Sequence, residues 1–287
     1  MSGIIVFGGA NIDIKAKSTA PNLLGTSNPG EVSLASGGVG RNIAHNLARL
    51  GAEVAFVSVV GDDAHGEEVL AATSAAGVDI SRVQRTHLPT GAYVALLDHD
   101  GEMITAMNDM RAIDELKPSD VRAHAEVIAA ARFVVADCNL RQDTLSALAG
   151  MARGKLVVET VSVPKSRKLM ALLAEGPVFL ASPNFDQVEA LAGTRDIADA
   201  FAFLHGKGLE NAVLHAGAEG AFVSDGADVE HVDAQPPARI VDVTGAGDAS
   251  VAGLVFGLYE GLSLADAAAL GQQLAGRVIG SAASTLE

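Results

Sequence analysis

Three observations predict an α/β protein with a central, mostly parallel sheet, helices on both of its faces and a small β lid. Short apolar runs alternate with longer helix-patterned segments along most of the chain. Two stretches, 12–36 and 88–110, interrupt that alternation with strand–turn–strand patterns. The 287 residues are 49% hydrophobic, enough to bury a substantial core. A chain of this length forms one large α/β domain or two small ones. No repeat, low-complexity tract or flexible linker divides it, so residues 1–287 read as one domain with 12–36 and 88–110 inserted as the lid.

Taken in order, Ile4 to Phe7 is an apolar run closed by Gly8-Gly9 and reads as a buried strand. Residues 38–50 are patterned as an amphipathic helix, Val54 to Val60 as a second buried strand, and 64–76 as a helix stopped by Gly77. Further strands are expected at Phe133 to Ala136, Leu156 to Val158, Val178 to Ala181 and Ala212 to His215. Helices are expected near 118–130, 142–151, 164–174, 184–192 and 196–206. Strands alternating with helices of this length imply a parallel sheet buried on both faces. Within the lid, Asn28-Pro29-Gly30 marks a turn, and Tyr93 to Leu97 and Met103 to Met107 flank Asp98-His99-Asp100-Gly101 as a hairpin. Both insertions read as antiparallel strands set apart from the main sheet. Two helices, about 246–259 and 263–280, close the chain.

Composition narrows the function. Aromatic residues are 4% of the chain and Trp is absent, so Ala, Val, Leu and Gly build the interior. No apolar run reaches the roughly 18 residues of a membrane span, and Met1-Ser2-Gly3 leads into a strand without a basic leader, so neither membrane nor signal peptide is expected. Cys138 is the lone cysteine, which excludes an internal disulfide and fits a reducing cytoplasm. A net charge of −15 argues against a nucleic-acid partner and leaves small neutral substrates open.

The chemistry concentrates in Asp242-Val243-Thr244-Gly245-Ala246-Gly247-Asp248, which opens a helix after an extended stretch. Gly245 and Gly247 let backbone amides approach an oxyanion closely, and the helix N-terminus directs its positive dipole end to the same point. Asp248, in the first helical turn, is placed to accept a proton from a hydroxyl. An anion cradle beside a base is what phosphoryl transfer to an alcohol requires. The bland alternative is a glycine turn before an ordinary helix. Neither a Walker A sequence nor a G-x-G-x-x-G after a strand occurs. A second segment, Gly37-Gly38-Val39-Gly40-Arg41-Asn42, opens the first long helix, with Asn42 offering a donor and an acceptor. Upstream, strand alternation puts Asn11 and Asp13 on one face, able to grip vicinal hydroxyls. Each of these residues alone also reads as structural: turn glycines, a helix-end Asn and a solvated acid.

Together, the Asn-x-Asp strand, the Gly-Gly helix start and the C-terminal Gly-Ala-Gly-Asp resemble the two signatures of the ribokinase-like (PfkB) carbohydrate kinase family. The resemblance covers essentially the whole chain. It implies a ribokinase-like fold, Asp248 as catalytic base, and Gly245, Ala246 and Gly247 as the anion hole. It assigns Asn11, Asp13, Gly38 and Asn42 to the sugar, and Asp242 and Thr244 to a monovalent cation such as K⁺. ATP and Mg²⁺ are the implied cofactors. The family's Asn-x-x-Glu element, which organises Mg²⁺ and phosphates, corresponds to Asn184-Phe185-Asp186-Gln187, with Gln187 where Glu is usual. Either Asp186 or Glu189 compensates or metal dependence is altered; Asn184 also reads as a helix N-cap. His215-Ala216-Gly217-Ala218-Glu219-Gly220 matches the nucleotide-binding turn, with Gly217 and Gly220 against ATP and His215 either touching a phosphate or capping its strand.

Four short segments resemble the pseudouridine kinase branch: Gly-Gly-Val-Gly-Arg-Asn itself, Thr26-Ser27-Asn28-Pro29-Gly30, Asn108-Asp109-Met110 and Val161-Ser162-Val163-Pro164-Lys165. On that resemblance Thr26, Ser27, Asp109, Asn139 and Lys165 join the substrate-binding residues, and the expected product is pseudouridine 5′-phosphate. The alternatives are another sugar or nucleoside kinase of the same fold and a catalytically silent sensor, to which Gln187 lends weight. A dinucleotide-binding oxidoreductase is excluded by the missing glycine fingerprint. Lid edges in the family commonly pair, so a homodimer is expected.

Overall fold

Runs of β-branched and other apolar residues build the spine of the molecule. The computed structural model describes residues 3–281 and 283–286. The first half of the chain holds β1 (Ile4–Phe7), β2 (Asn11–Ser18), β3 (Gly30–Gly37), α1 (Val39–Arg49), β4 (Val54–Val57), β5 (Val59–Gly61), α2 (Ala64–Ala75), β6 (Gln84–Thr86), β7 (Gly91–Leu97), β8 (Met103–Asp109), α3 (Pro118–Ala123) and α4 (Ala125–Ala130). The second holds β9 (Phe133–Asp137), α5 (Gln142–Met151), β10 (Leu156–Glu159), α6 (Val163–Glu175), β11 (Val178–Ala181), α7 (Phe185–Ala192), α8 (Ile197–Gly206), β12 (Leu209–His215), β13 (Ala221–Ser224), β14 (Val229–Val232), α9 (Ala246–Glu260) and α10 (Leu264–Ile279).

Eight strands form the main sheet in the order β14-β13-β12-β11-β10-β9-β1-β4. From β4 to β12 every pairing is parallel, as the strand–helix alternation predicts. Alternation sends Ile4 and Val6 to one face and Ile5 and Phe7 to the other. The first pair packs with Ile43 and Leu47 of α1 and Val251 and Val255 of α9. The second packs with Leu145 and Leu148 of α5 and Leu169 and Leu172 of α6. Both faces are therefore covered. No helix among the described residues is long and apolar enough to cross a membrane.

The structure departs from the sequence reading in four places. The antiparallel hairpin β13–β14 at the sheet edge was not anticipated, because its four-residue strands are too short to display a period. Segment 118–130 is two helices parted at His124, whose backbone (φ −97°, ψ 17°) leaves the helical range. The run Val54 to Val60 divides at Ser58, whose hydroxyl donates to the Gly8 carbonyl at 2.7 Å, while β5 turns away to pair with β6. The lid is one four-stranded sheet, β3-β2-β7-β8, in which β2 and β7 run parallel rather than antiparallel. Hairpin patterns specify pairing within each insertion, but pairing between them depends on where the main sheet returns the chain.

Lid register sorts the side chains. Ala35, Asp13, Tyr93 and Asn108 lie side by side on one face, and Leu34, Ile14, Val94 and Met107 on the other. Leu34 and Met107, at the two edges, are exposed.

One buried carboxylate fixes the lid and α1 to the main sheet. At the end of β9, Asp137 Oδ2 accepts the Gly9 amide at 2.8 Å and the Gly40 amide at 2.7 Å, and Oδ1 accepts the Asn139 amide at 2.8 Å. Burial pushes the Asp137 pKa up, while these amides pull against that. The approach also requires glycine: a Cβ on Gly40 would lie 2.6 Å from Gly8 Cα. Asp137→Asn turns an NH₂ toward at least one of these amides. The variant should lose about 2–4 kcal/mol of unfolding free energy in denaturant titration. An unchanged midpoint would remove Asp137 from this structural role.

Candidate active site

The N-terminus of α9 stands between two cavities. The larger, about 630 Å³, is lined by Asn11, Asp13, Asn42, Asn139 and Lys165, with Thr244, Gly245 and Asp248 at its floor. The smaller, about 380 Å³, lies under His215, Gly217 and Gly220, is walled by Gln272, Ala275 and Ile279 of α10, and meets α9 at Ala246 and Gly247. Gly245 has φ 80°, and any side chain there would collide with the Ser284 carbonyl. A Cβ on Gly247 would meet nothing within 4 Å, so its backbone faces open space. The turn thus presents backbone amides and a helix dipole to the junction of the cavities.

Asp248 is half-buried at that junction, and the Asn42 side-chain amide donates to its Oδ2 at 2.8 Å. Burial pushes its pKa up to about 8; the Asn42 bond opposes this, and the charges of Glu159, Asp137 and Asp13 add to it. A carboxyl in that range is a stronger proton acceptor than an ordinary Asp. Asn42 is itself held, because Arg41 donates to its Oδ1 at 3.0 Å. Arg41 is buried, which lowers its pKa to about 10 against the pull of Asp13 and Asp248. Across the cavity Asn11 Nδ2 donates to Asp13 Oδ1 at 2.6 Å, and burial raises the Asp13 pKa. Lys165 Nζ donates to Asn139 Oδ1 at 2.5 Å. Gly38, the α1 N-cap at φ 101°, lines the same space.

Several expected site residues lie elsewhere. Thr26 and Ser27 are exposed in the turn beyond β2, outside the larger cavity. Register pairs Asn11 with Gly37 at the cavity end of the lid and Ser18 with Gly30 at the far end. At about 3.3 Å per residue that turn sits roughly 23 Å from Asn11. Asp109 points outward and pairs with Arg111 at 2.6 Å; its neighbours Asn108 and Met110 line the cavity instead. Gln187 is buried in a capping box: its Oε1 accepts the Thr160 hydroxyl at 2.6 Å and the Asn184 amide at 3.0 Å, and Asn184 Oδ1 accepts the Gln187 amide at 2.9 Å. Asn184 and Gln187 line neither cavity. Asp186 and Glu189 both pair with Arg195 on the exposed side of α7. Asp242 and Thr244 meet at the turn, but their side-chain oxygens face Lys15 of the lid.

His215 belongs to the smaller cavity. Burial lowers its pKa to about 4, leaving it neutral, and its Nε2 has no partner among the described residues. That orphaned polar atom and the open space at Gly217 and Gly247 fit a polyphosphate nucleotide in this cavity. Near the end of the described residues the Leu286 amide donates to Asn46 Oδ1 of α1 at 2.8 Å.

Sequence reasoning missed Lys15, Arg41, Tyr93, Asp137, Glu159 and Val161 as site residues. For Asp137 a signal existed, because ligand sites of open α/β sheets lie beyond the carboxyl ends of parallel strands. Val161, the one non-glycine with positive φ (66°) among the described residues, lines the larger cavity and carries backbone strain that no pattern reveals.

Comparison with known proteins decides the family. The model described as pfkB family carbohydrate kinase matches residues 1–286. The chain belongs to that family. It is a phosphotransferase with an alcohol acceptor, on the ribokinase-like α/β fold. A pseudouridine kinase of Escherichia coli (strain K12) is 34% identical over 94% of this chain and 88% of its own. A guanosine-inosine kinase of Exiguobacterium acetylicum is 28% identical over 98% and 95%. Among solved structures, an adenosine kinase from Sinorhizobium meliloti superimposes with a TM-score of 0.86 at 27% identity, covering 99% of this chain and 96% of that one.

Two outcomes are expected of Asp248 in this kinase. Below its pKa the carboxyl is neutral and cannot accept a proton, so kcat/KM for the acceptor should rise with pH along a limb near 8. A flat profile from pH 6 to 9 would show that another group is the base. Its folded pKa lies above the ordinary 3.8, so its contribution to stability is complete below that value and is lost as pH rises through about 8. Asp248→Asn should therefore lose about a hundredfold or more in kcat, yet unfold at pH 8 no more easily than the parent. Near-normal turnover in the variant would end the assignment.

Proposed function

We propose that the chain transfers the γ-phosphoryl group of ATP to the 5′-hydroxyl of a nucleoside, and that the nucleoside is pseudouridine. The observation that carries the reading is the meeting of two cavities at the α9 N-terminus, with Asp248 on the acceptor side and the Gly245–Gly247 turn facing the nucleotide. A cavity of about 630 Å³ accommodates a nucleoside. The Lys165–Asn139 pair in its wall offers an ammonium donor for a uracil carbonyl and an amide oxygen for a ring N–H. Pseudouridine, linked through carbon, presents one ring N–H more than uridine, and an acceptor placed for it discriminates between them. The similarity to a pseudouridine kinase supports the same choice.

In this reading Asn11 and Asp13 hold the ribose hydroxyls, and the 5′-hydroxyl rests on the Asp248 oxygen that Asn42 leaves free. As the hydroxyl oxygen attacks the γ-phosphorus, its proton passes to Asp248 and the bond to the β-phosphate oxygen breaks, releasing ADP. Amides of the Gly245–Gly247 turn hold the negative charge on the transferring group. Bound together with ATP, Mg²⁺ would supply neutralisation of the phosphate charge. Gln187, held in its capping box, supplies no carboxylate of its own. The lid covers the acceptor and keeps out competing water. The exposed apolar row of the lid supports a homodimer, to be checked by light scattering. The buried free thiol of Cys138 is consistent with a cytoplasmic setting.

A silent nucleoside sensor is the second reading, favoured by Gln187. The deciding measurement is ADP release with Mg²⁺-ATP and, in turn, pseudouridine, uridine, ribose and fructose. Preference for pseudouridine is expected. Preference for ribose or fructose would discard the nucleoside, and nucleoside binding without ADP would establish the sensor. Lys165→Met should raise KM for pseudouridine by about tenfold and leave kcat near the parent value. An unchanged KM would exclude Lys165 from recognition of the base.

A further inference from the structure

The position that the family resemblance gives to a dissociable monovalent cation holds an ammonium group in this chain. Lys15 lies on β2 two residues past Asp13, on the cavity-facing side of the lid. Its cross-strand neighbours are the small residues Ser33 and Ala95, which leave room for its stem. The side chain crosses to the turn before α9, where Nζ lies 2.5 Å from Asp242 Oδ2 and 3.1 Å from Thr244 Oγ1. The other Asp242 oxygen accepts the Thr244 amide at 2.8 Å.

These groups do not fit a potassium ion as they stand. The one carboxylate of the pair already faces a positive charge, and a second cation beside it would meet Coulomb repulsion from Lys15. An alkylammonium head is a monovalent cation similar in size to potassium. We propose that Lys15 is a built-in replacement for the monovalent cation, so that phosphoryl transfer by this kinase needs no added potassium. Lys15 acts as a positioning residue: through Asp242 it holds the turn that carries the anion-hole amides of Gly245–Gly247, and it ties strand β2 of the lid to that turn. The turnover arm of the test rests on the kinase assignment but not on the identity of the acceptor.

The experiment compares full-length wild type, Lys15→Met and Lys15→Arg in potassium, sodium and choline chloride at equal ionic strength. Two quantities are read: ADP release with whichever acceptor is turned over, and the midpoint of thermal unfolding. Wild type should turn over at the same rate in all three salts and show no midpoint shift specific to potassium. Lys15→Met should lose about tenfold or more in choline chloride, regain rate in potassium, and unfold several degrees higher in potassium than in choline. Lys15→Arg should remain independent of potassium. Stimulation of wild type by potassium, or full activity of Lys15→Met in choline, would overturn the proposal. If no acceptor yields ADP, the midpoints decide: potassium-specific stabilisation confined to Lys15→Met supports the built-in cation, and any other pattern rejects it.

Discussion

A carboxylate at the end of a central strand accepts amides from three chain segments that have no local reason to meet. Asp137 draws together the turn after β1, the first turn of α1 and the residues after β9. Four acceptor-side groups are placed relative to that knot. Asn11 and Asp13 leave it on β2, Asn42 leaves it on α1, and Asn139 lies two residues past Asp137 itself. Glycines 8 and 40 follow from the same requirement, since the knot closes only where backbones touch.

Packing so many acids near one helix end has an electrostatic result. Asp13, Asp137, Glu159 and Asp248 crowd the same low-dielectric region, and burial pushes the pKa of each upward. Arg41, Lys15, Lys165 and the N-terminus of α9 are opposing positive elements. The arrangement costs stability at the place where chemistry needs a responsive carboxyl, a common bargain at active sites.

How much of this was legible in the sequence depends on distance along the chain. The Gly245–Asp248 turn could be read because the anion cradle and the base lie within four residues of each other. The parallel strands could be read because each is a continuous apolar run. Asp137 is separated from its two distant amide donors by 128 and 97 residues, and Lys15 from Asp242 by 227, so no local pattern joins them. Thr26 and Ser27 were drawn into the site by segment resemblance, although the length of β2 carries them to the far end of the lid. Gln187 was read as a lost charge, whereas the fold uses it as one half of a helix cap. The alternation that put Asn11 and Asp13 on one face also holds for Lys15, but its partner lies on an element the lid pattern does not mention.

The placement of the two cavities on either side of one helix end has a stereochemical consequence. Donor and acceptor can be bound at once, each in its own cavity, so the phosphoryl group has no need to rest on a side chain of the protein between them. A single displacement carries the three peripheral oxygens through a plane, as an umbrella turns inside out. An ATP made chiral at its γ-phosphorus with oxygen isotopes would therefore give a phosphate ester of inverted configuration.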